Sequence, residues 1–444
     1  MHKSGGKRQM GTRGKEILSK ASAAAKNTVV TEVIRKKQTN LLILFCTAVY
    51  AVSYLTRVNY SAVLVEIIKS EGYSKSSASM ALTALFITYG FGQVISGFLG
   101  DKLKPEKIIF FGLLLTAGMN ILIPLTTDTA QMTAVWAVNG FAQALMWPPI
   151  VKILLNHLDA ETYRKRIIII GWGGHIGTFI VYLFSPVIID IFDWRVVFLV
   201  SAGIAVAMAI IWMLKIGQIT DALKSELTLP SITESATQKD GTKEKMPPAA
   251  VIYLVFAMIA IAAQGLLRDG IMTWMPTYIS EQFNFSSASS ILTGLGLPVF
   301  SVIVSFAAAY IFRHCIKNES LCSAAFFAVC FVSNLILCFS YSSSPALSVA
   351  LLTLVNGGTH GINIMYTCMA VQHYAKYGRP SLIVGLMNSA TYIGSALSIY
   401  GGSEVTNAFG WSGMMVTWCV AGAVGLAISL GSVGLLNKIK NSEK

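Results

Sequence analysis

Apolar residues gather into twelve long runs, near residues 41–67, 77–99, 106–126, 130–153, 166–189, 195–214, 249–276, 287–312, 321–341, 345–372, 382–406 and 412–436. Each is long enough to cross about 30 Å of hydrocarbon as a helix. Several contain Gly, Pro, Ser and Asn, which suit helices packed on one another around a polar cavity. The pattern predicts an all-α membrane protein of twelve transmembrane helices, with the lipid bilayer as its surroundings. A Thr/Ser/Glu/Lys-rich segment at about 217–247, closed by Pro247-Pro248, separates six runs from six. The expected layout is a basic tail (1–40), a six-helix bundle (41–214), a central loop (215–248), a second six-helix bundle (249–436) and a short tail (437–444).

The two sets of six share a register. Asn139-Gly140 in span four recurs as Asn356-Gly357 in span ten, 217 positions on. His175-Ile176-Gly177 in span five is matched at the same offset by Tyr392-Ile393-Gly394 in span eleven, and Trp194 by Trp411. Three matches at one offset predict a duplicated, pseudo-symmetric pair of bundles. Such a chain places a central site between its halves and moves one half against the other.

Composition agrees with the pattern: 54% of the 444 residues are apolar and 12% are charged. With the N-terminus inside, 28 of the 34 basic residues fall in inside segments, and only Lys69, Lys75 and Arg195 in outside loops. The positive-inside rule therefore puts both termini in the cytoplasm. The net charge of +13 records topology, and no nucleic-acid partner is expected. No apolar stretch with a cleavage site precedes the first span, so no cleaved signal peptide is read. The basic arm reads as a disordered or surface-lying tail near anionic lipid. Seven cysteines in or beside spans read as packing residues. There is no metal-ligand spacing, no P-loop and no dinucleotide fingerprint, so neither a metal, a cofactor nor an enzyme is expected.

Two polar exceptions carry the chemistry. Arg57 and Arg268 each fall late in the first span of their half, 211 positions apart. An arginine at mid-membrane depth costs about 2.5–3.5 kcal/mol on insertion scales, so each needs a partner. A guanidinium stays charged and offers a planar fork that matches phosphate oxygens. Two of them facing one cavity repel when it is empty, and a phosphate between them would draw the halves together. The alternative is neutralisation by a carboxylate or by helix carbonyls. Asp269 is the suspect for Arg268, although adjacent helical residues point about 100° apart.

These motifs resemble the major facilitator superfamily and, within it, the organophosphate:phosphate antiporter family. The resemblance lies in Gly97-Phe98-Leu99-Gly100-Asp101-Lys102 after span two and Tyr54-Leu55-Thr56-Arg57-Val58-Asn59 in span one. It continues in Asn139-Gly140-Phe141-Ala142-Gln143 with Trp147-Pro148-Pro149, and in Leu266-Leu267-Arg268-Asp269-Gly270-Ile271 with Trp274. It implies that Arg57 and Arg268 hold the phosphate moiety, with Tyr50, Tyr54, Tyr89, Trp147 and Tyr392 lining the cavity. For each aromatic, helix packing is the competing role.

Departures from the family bear on substrate choice. Its glycerol- and hexose-phosphate carriers tend to have lysines where this chain has Val58 and Gln93. Tyrosines expected in spans seven and ten are Gly265 and His360. A less cationic, roomier site is therefore expected. His175 falls near the family's span-five histidine; it or His360, on protonation, could supply the missing charge, or either could be a neutral residue bonded between helices. The resemblance implies exchange of a phosphorylated organic anion for inorganic phosphate by a monomer in a bacterial inner membrane. A reticulum membrane is the other compartment it leaves open. The alternatives are a proton-coupled symporter of an organic anion and a transporter-like sensor of phosphate esters.

Overall fold

The computed structural model describes residues 6–225, 246–377 and 380–441. Most of the central loop, the first five residues and the last three lie outside the described residues, as do the side chains of Gly97, Phe98, Gly100, Asp101 and Lys102. Ten helical stretches among the described residues are long and apolar enough to cross a membrane. The last of them, Ile383–Ile439, contains a break at Gly410 (φ 66°, ψ −167°) that divides it into spans eleven and twelve. Only glycine takes that left-handed conformation without a steric penalty. Pro345–Asn363 supplies span ten; its Asn356, Thr359, His360 and Asn363 make it less apolar than the rest. Eleven of the twelve expected spans thus lie in helices long and apolar enough to cross a membrane, and the run expected as span ten is helical over Pro345–Asn363.

Several boundaries differ from the sequence expectation. Helical backbone begins at Gly6 and runs without interruption to Glu71, where a disordered or surface-lying arm was expected. Ala21, Ala23, Ala24 and Ala25 are strong helix formers, so a helix anchored in span one can propagate back through them. Span six likewise continues to Ser225, beyond the expected end of the first bundle. Span four is two helices, Thr129–Ala144 and Trp147–His157, because Pro148 and Pro149 bring no N–H donors to the junction. His157 closes the second of these helices and is buried. Span ten runs on into a π-turn at Ile364–Met369 and a 3₁₀ segment at Ala370–Tyr377.

The internal repeat has a physical basis in helix contacts. A Cβ on Gly177 would run into the carbonyl oxygen of Ala51, and one on Gly394 into that of Ala262. Gly394 lies 217 positions after Gly177, and Ala262 lies 211 after Ala51. Spans five and one therefore cross as spans eleven and seven do, with bare backbone at both crossings. Trp194 Nε1 donates to Glu71 Oε1 at 3.2 Å, and its counterpart Trp411 donates to Glu281 Oε2 at 3.0 Å. The first spans of the two halves thus follow an offset near 211 while the later spans follow 217. Arg57 and Arg268, also 211 apart, occupy equivalent places.

Lys69, Lys75 and Arg195 all lie on the side of the bundle opposite residues 35–40, called here the far side. Lys75 pairs with Glu281 at 2.6 Å and Lys69 donates to Ser280 Oγ at 2.5 Å, both across the two halves. Arg195 pairs with Glu71 at 2.9 Å. Asn407 Nδ2 to Ser76 Oγ (2.9 Å) and Tyr182 Oη to the carbonyl of Met272 (2.7 Å) complete a far side closed by contacts between the halves.

Candidate functional site

Span one carries Tyr50, Tyr54 and Arg57 on one face, as their spacing requires. The Arg57 guanidinium lies 4.1 Å from the Tyr54 ring centroid and 5.1 Å from that of Tyr89 in span two. Tyr89 meets Tyr392 of span eleven edge-on at 4.5 Å, so the aromatic wall joins the two halves. Tyr50 touches Tyr54 at 5.1 Å and Trp147 at 4.7 Å between centroids. The residue is only 7% exposed, and among the described residues Arg57 makes no ion pair. Ring faces attract a desolvated cation by about 2 kcal/mol, which offsets only part of the several kcal/mol needed to bury it.

A polar network beside Arg57 fixes span one against spans three and four. Ser53 Oγ donates to Gln143 Oε1 (2.6 Å), and Gln143 Nε2 donates to Thr56 Oγ1 (3.0 Å) and Thr116 Oγ1 (2.9 Å). Asn139 and Asn120 both donate to the carbonyl of Thr56 at 3.1 Å, and Asn59 donates to Asn120 at 2.7 Å. The Asn139-Gly140-Phe141-Ala142-Gln143 motif therefore holds the arginine's helix in place. Gly140 lets span four approach span two, since a Cβ there would meet the carbonyl oxygen of Leu85.

Arg268 is held differently, and here the geometric argument from the sequence needs correcting. Its Nε donates to Asp269 Oδ1 at 3.0 Å and its Nη2 to Asp269 Oδ2 at 2.8 Å. The 100° between neighbours describes where Cβ atoms point, whereas a long arginine chain can fold back onto the next residue. Asp269, with its side chain 4% exposed, also accepts from Ser395 Oγ of span eleven at 2.5 Å. Tyr54 and Tyr392 lie within electrostatic reach of both guanidinium groups.

The remaining candidates divide. His175 and His360 come together across the halves, ring centroids 4.9 Å apart. Gln93 lies one turn beyond Tyr89, half-buried. Val58 packs with Leu55, Val181 and Ile291. Gly265 leaves no extra room, because the carbonyl of Thr391 occupies the place where its Cβ would be. Asp269 and Ser395 are the members that the sequence reading did not place in the site. The signal for Asp269 was a carboxylate inside an apolar span, which is as costly as an arginine there; Ser395 carried no such signal.

Two matched sets of helices around a buried cationic centre define a polytopic helical carrier. The chain belongs to the major facilitator superfamily, whose family model matches residues 46–399. It is 24% identical over 412 residues to the glycerol-3-phosphate transporter of Bacillus subtilis (strain 168), covering 86% of this chain and 89% of that one. It is 21% identical over 408 residues to a probable hexose phosphate transport protein of Chlamydia pneumoniae, at 86% and 88% coverage. The membrane sensor protein UhpC of Escherichia coli (strain K12) matches at 21% over 407 residues, at 86% and 89% coverage. Among solved structures, a POT family transporter in complex with 5-aminolevulinic acid superposes with a TM-score of 0.69 at 14% identity, over 89% of this chain and 96% of that one. By this membership and its long apolar helices the chain is a multi-pass membrane protein of the transporter type and not an enzyme.

Proposed function

We propose that the protein is a secondary transporter that exchanges a phosphorylated organic anion, of the glycerol- or sugar-phosphate type, for inorganic phosphate by alternating access. The observation that carries this reading is Arg57, a buried guanidinium in an aromatic cage at the junction of the halves with no carboxylate paired to it among the described residues. An anion on Arg57 that also draws Arg268 would join span one to span seven, and hence one half to the other. The glycerol- and hexose-phosphate transporters among the relatives support a phosphate ester as that anion. Tyr50, Tyr54, Tyr89, Gln93, Trp147, His175, His360 and Tyr392 complete the proposed lining. In this reading residues 41–214 and 249–436 are the moving bundles, the central loop 215–248 joins them, and both termini are cytoplasmic in a bacterial inner membrane. The working unit is a monomer.

The test is reconstitution into phosphate-loaded liposomes, with labelled phosphate exchanged against a panel of phosphate esters. Exchange that needs no pH gradient supports the reading. Uptake of a carboxylate without phosphate exchange overturns it, and binding without flux assigns the chain to the sensor class instead.

The far-side contacts make a second, smaller prediction. Lys75 and Glu281 are partly exposed, so their pair is worth about 0.2–1 kcal/mol and holds the far side closed. Lys75→Ala is expected to raise the far-side-open population up to about fivefold. The measurement is labelling, by an impermeant maleimide, of a cysteine placed at Thr273, which bonds Ser61 across the interface at 3.5 Å. Unchanged labelling would show that the pair does not hold the gate.

A further inference from the structure

Asp269 already occupies the part of a bound anion. It offers two carboxylate oxygens to Nε and Nη2 of Arg268 at 3.0 and 2.8 Å. That is the bidentate geometry a phosphate would use. While this pair stands, Arg268 has its fork engaged, and the centre holds one net positive charge from Arg57, Arg268 and Asp269 together.

From this geometry we infer that Asp269 is a proton-binding site, and that its protonation releases Arg268 to the substrate, so that one proton is bound with each dianionic phosphate or phosphate ester. The inference rests on the phosphate-ester reading above. Protonation adds a hydrogen to a carboxylate oxygen, taken from the water on the side to which the cavity is open, and breaks both charge-assisted bonds to Arg268. Net charge at the centre rises by one, to two positive charges, which matches a dianion. The proton has an acceptor ready: Ser395 Oγ lies 2.5 Å from Oδ2. Its own hydrogen can turn to the carbonyl of Thr391 at 3.0 Å or of Gly265 at 3.4 Å. A protonated Asp269 therefore remains hydrogen-bonded without Arg268. Release of the anion on the other side lets Arg268 return to Asp269 and expel the proton there.

The groups facing this pair are Arg57 and Tyr54 from span one and Ser395 and Tyr392 from span eleven. His175 of span five and His360 of span ten face Arg268. The histidines are the competing proton carriers, so the measurement has to read the carboxyl itself. By linkage, anion binding must strengthen proton binding by the same factor that protonation strengthens anion binding.

The experiment is infrared difference spectroscopy on the full chain in lipid, adding inorganic phosphate at about pH 8, well above the ordinary carboxylate range. The wild type is expected to show a new protonated-carboxyl C=O band, which no protonated histidine gives and which Asp269→Asn lacks. Asp269→Asn, which mimics the protonated form, is expected to bind phosphate about tenfold more tightly than wild type at that pH. Phosphate binding by wild type with no carboxyl band, or with an unchanged affinity in Asp269→Asn, overturns this inference and leaves the transport reading standing. No phosphate binding by wild type at any pH removes that reading and the inference with it.

Discussion

Arg57→Met is expected to abolish phosphate binding while leaving the ligand-free protein at least as stable as wild type. Arg57 is buried with no carboxylate paired to it among the described residues, so the empty site bears most of its desolvation cost. Methionine fills a similar volume between Tyr54 and Tyr89 without that cost, and the cation–π attraction it forfeits is about 2 kcal/mol. Arg268→Met should behave in the opposite way. It strands Asp269 as an uncompensated buried carboxylate, and breaking a buried pair from one side costs about 3–5 kcal/mol. Thermal unfolding in detergent, with and without phosphate, separates the two. Phosphate should raise the midpoint of wild type and leave that of Arg57→Met unmoved. The milder Arg57→Lys keeps the charge and loses the fork, so affinity should fall about tenfold or more, about 1.4 kcal/mol. Equal destabilisation by Arg57→Met and Arg268→Met would mean that Arg57 has a structural partner and is not reserved for an anion.

That contrast marks where sequence reasoning reaches and where it stops. Spans, duplication and the two arginines are periodic or compositional features, and each is visible because an apolar span tolerates few exceptions. The 217-residue register found span pairs correctly, yet it left Arg57 and Arg268 apparently out of step. Their equivalence needed the crossings of Gly177 with Ala51 and Gly394 with Ala262. Asp269 was visible as a residue but not as a partner, because Cβ direction was taken for side-chain reach. Ser395 and the His175–His360 contact are non-local: 126 and 185 positions separate the members of each pair. Reading Gly265 as added room failed for the same reason, since the space beside it belongs to a helix distant in sequence.

Gly177→Leu and Gly394→Leu are the substitutions expected to damage the fold most, and each should disable its own half of the centre. At both places the neighbouring helix presents a backbone carbonyl where the new Cβ would go, so no side-chain rotation can relieve the overlap. Overpacking a well-filled core costs about 1–3 kcal/mol and sometimes more, and a clash with backbone belongs at or beyond the upper end. Gly177→Leu pushes span five from span one, which displaces Tyr54 and Arg57. Gly394→Leu pushes span eleven from span seven and opens the Ser395–Asp269 bond next to it. The two sites share no neighbour, so their losses should add. Gly203 in span six supplies the control: a Cβ there meets nothing within 4 Å. Gly203→Ala should therefore be neutral or gain about 0.5–1 kcal/mol, because glycine is a poor residue for a helix interior. Unfolding midpoints for the three single variants and the Gly177/Gly394 double variant measure these effects. A wild-type midpoint for Gly394→Leu would mean that spans seven and eleven are not packed backbone to backbone, and that Ser395 does not hold Asp269.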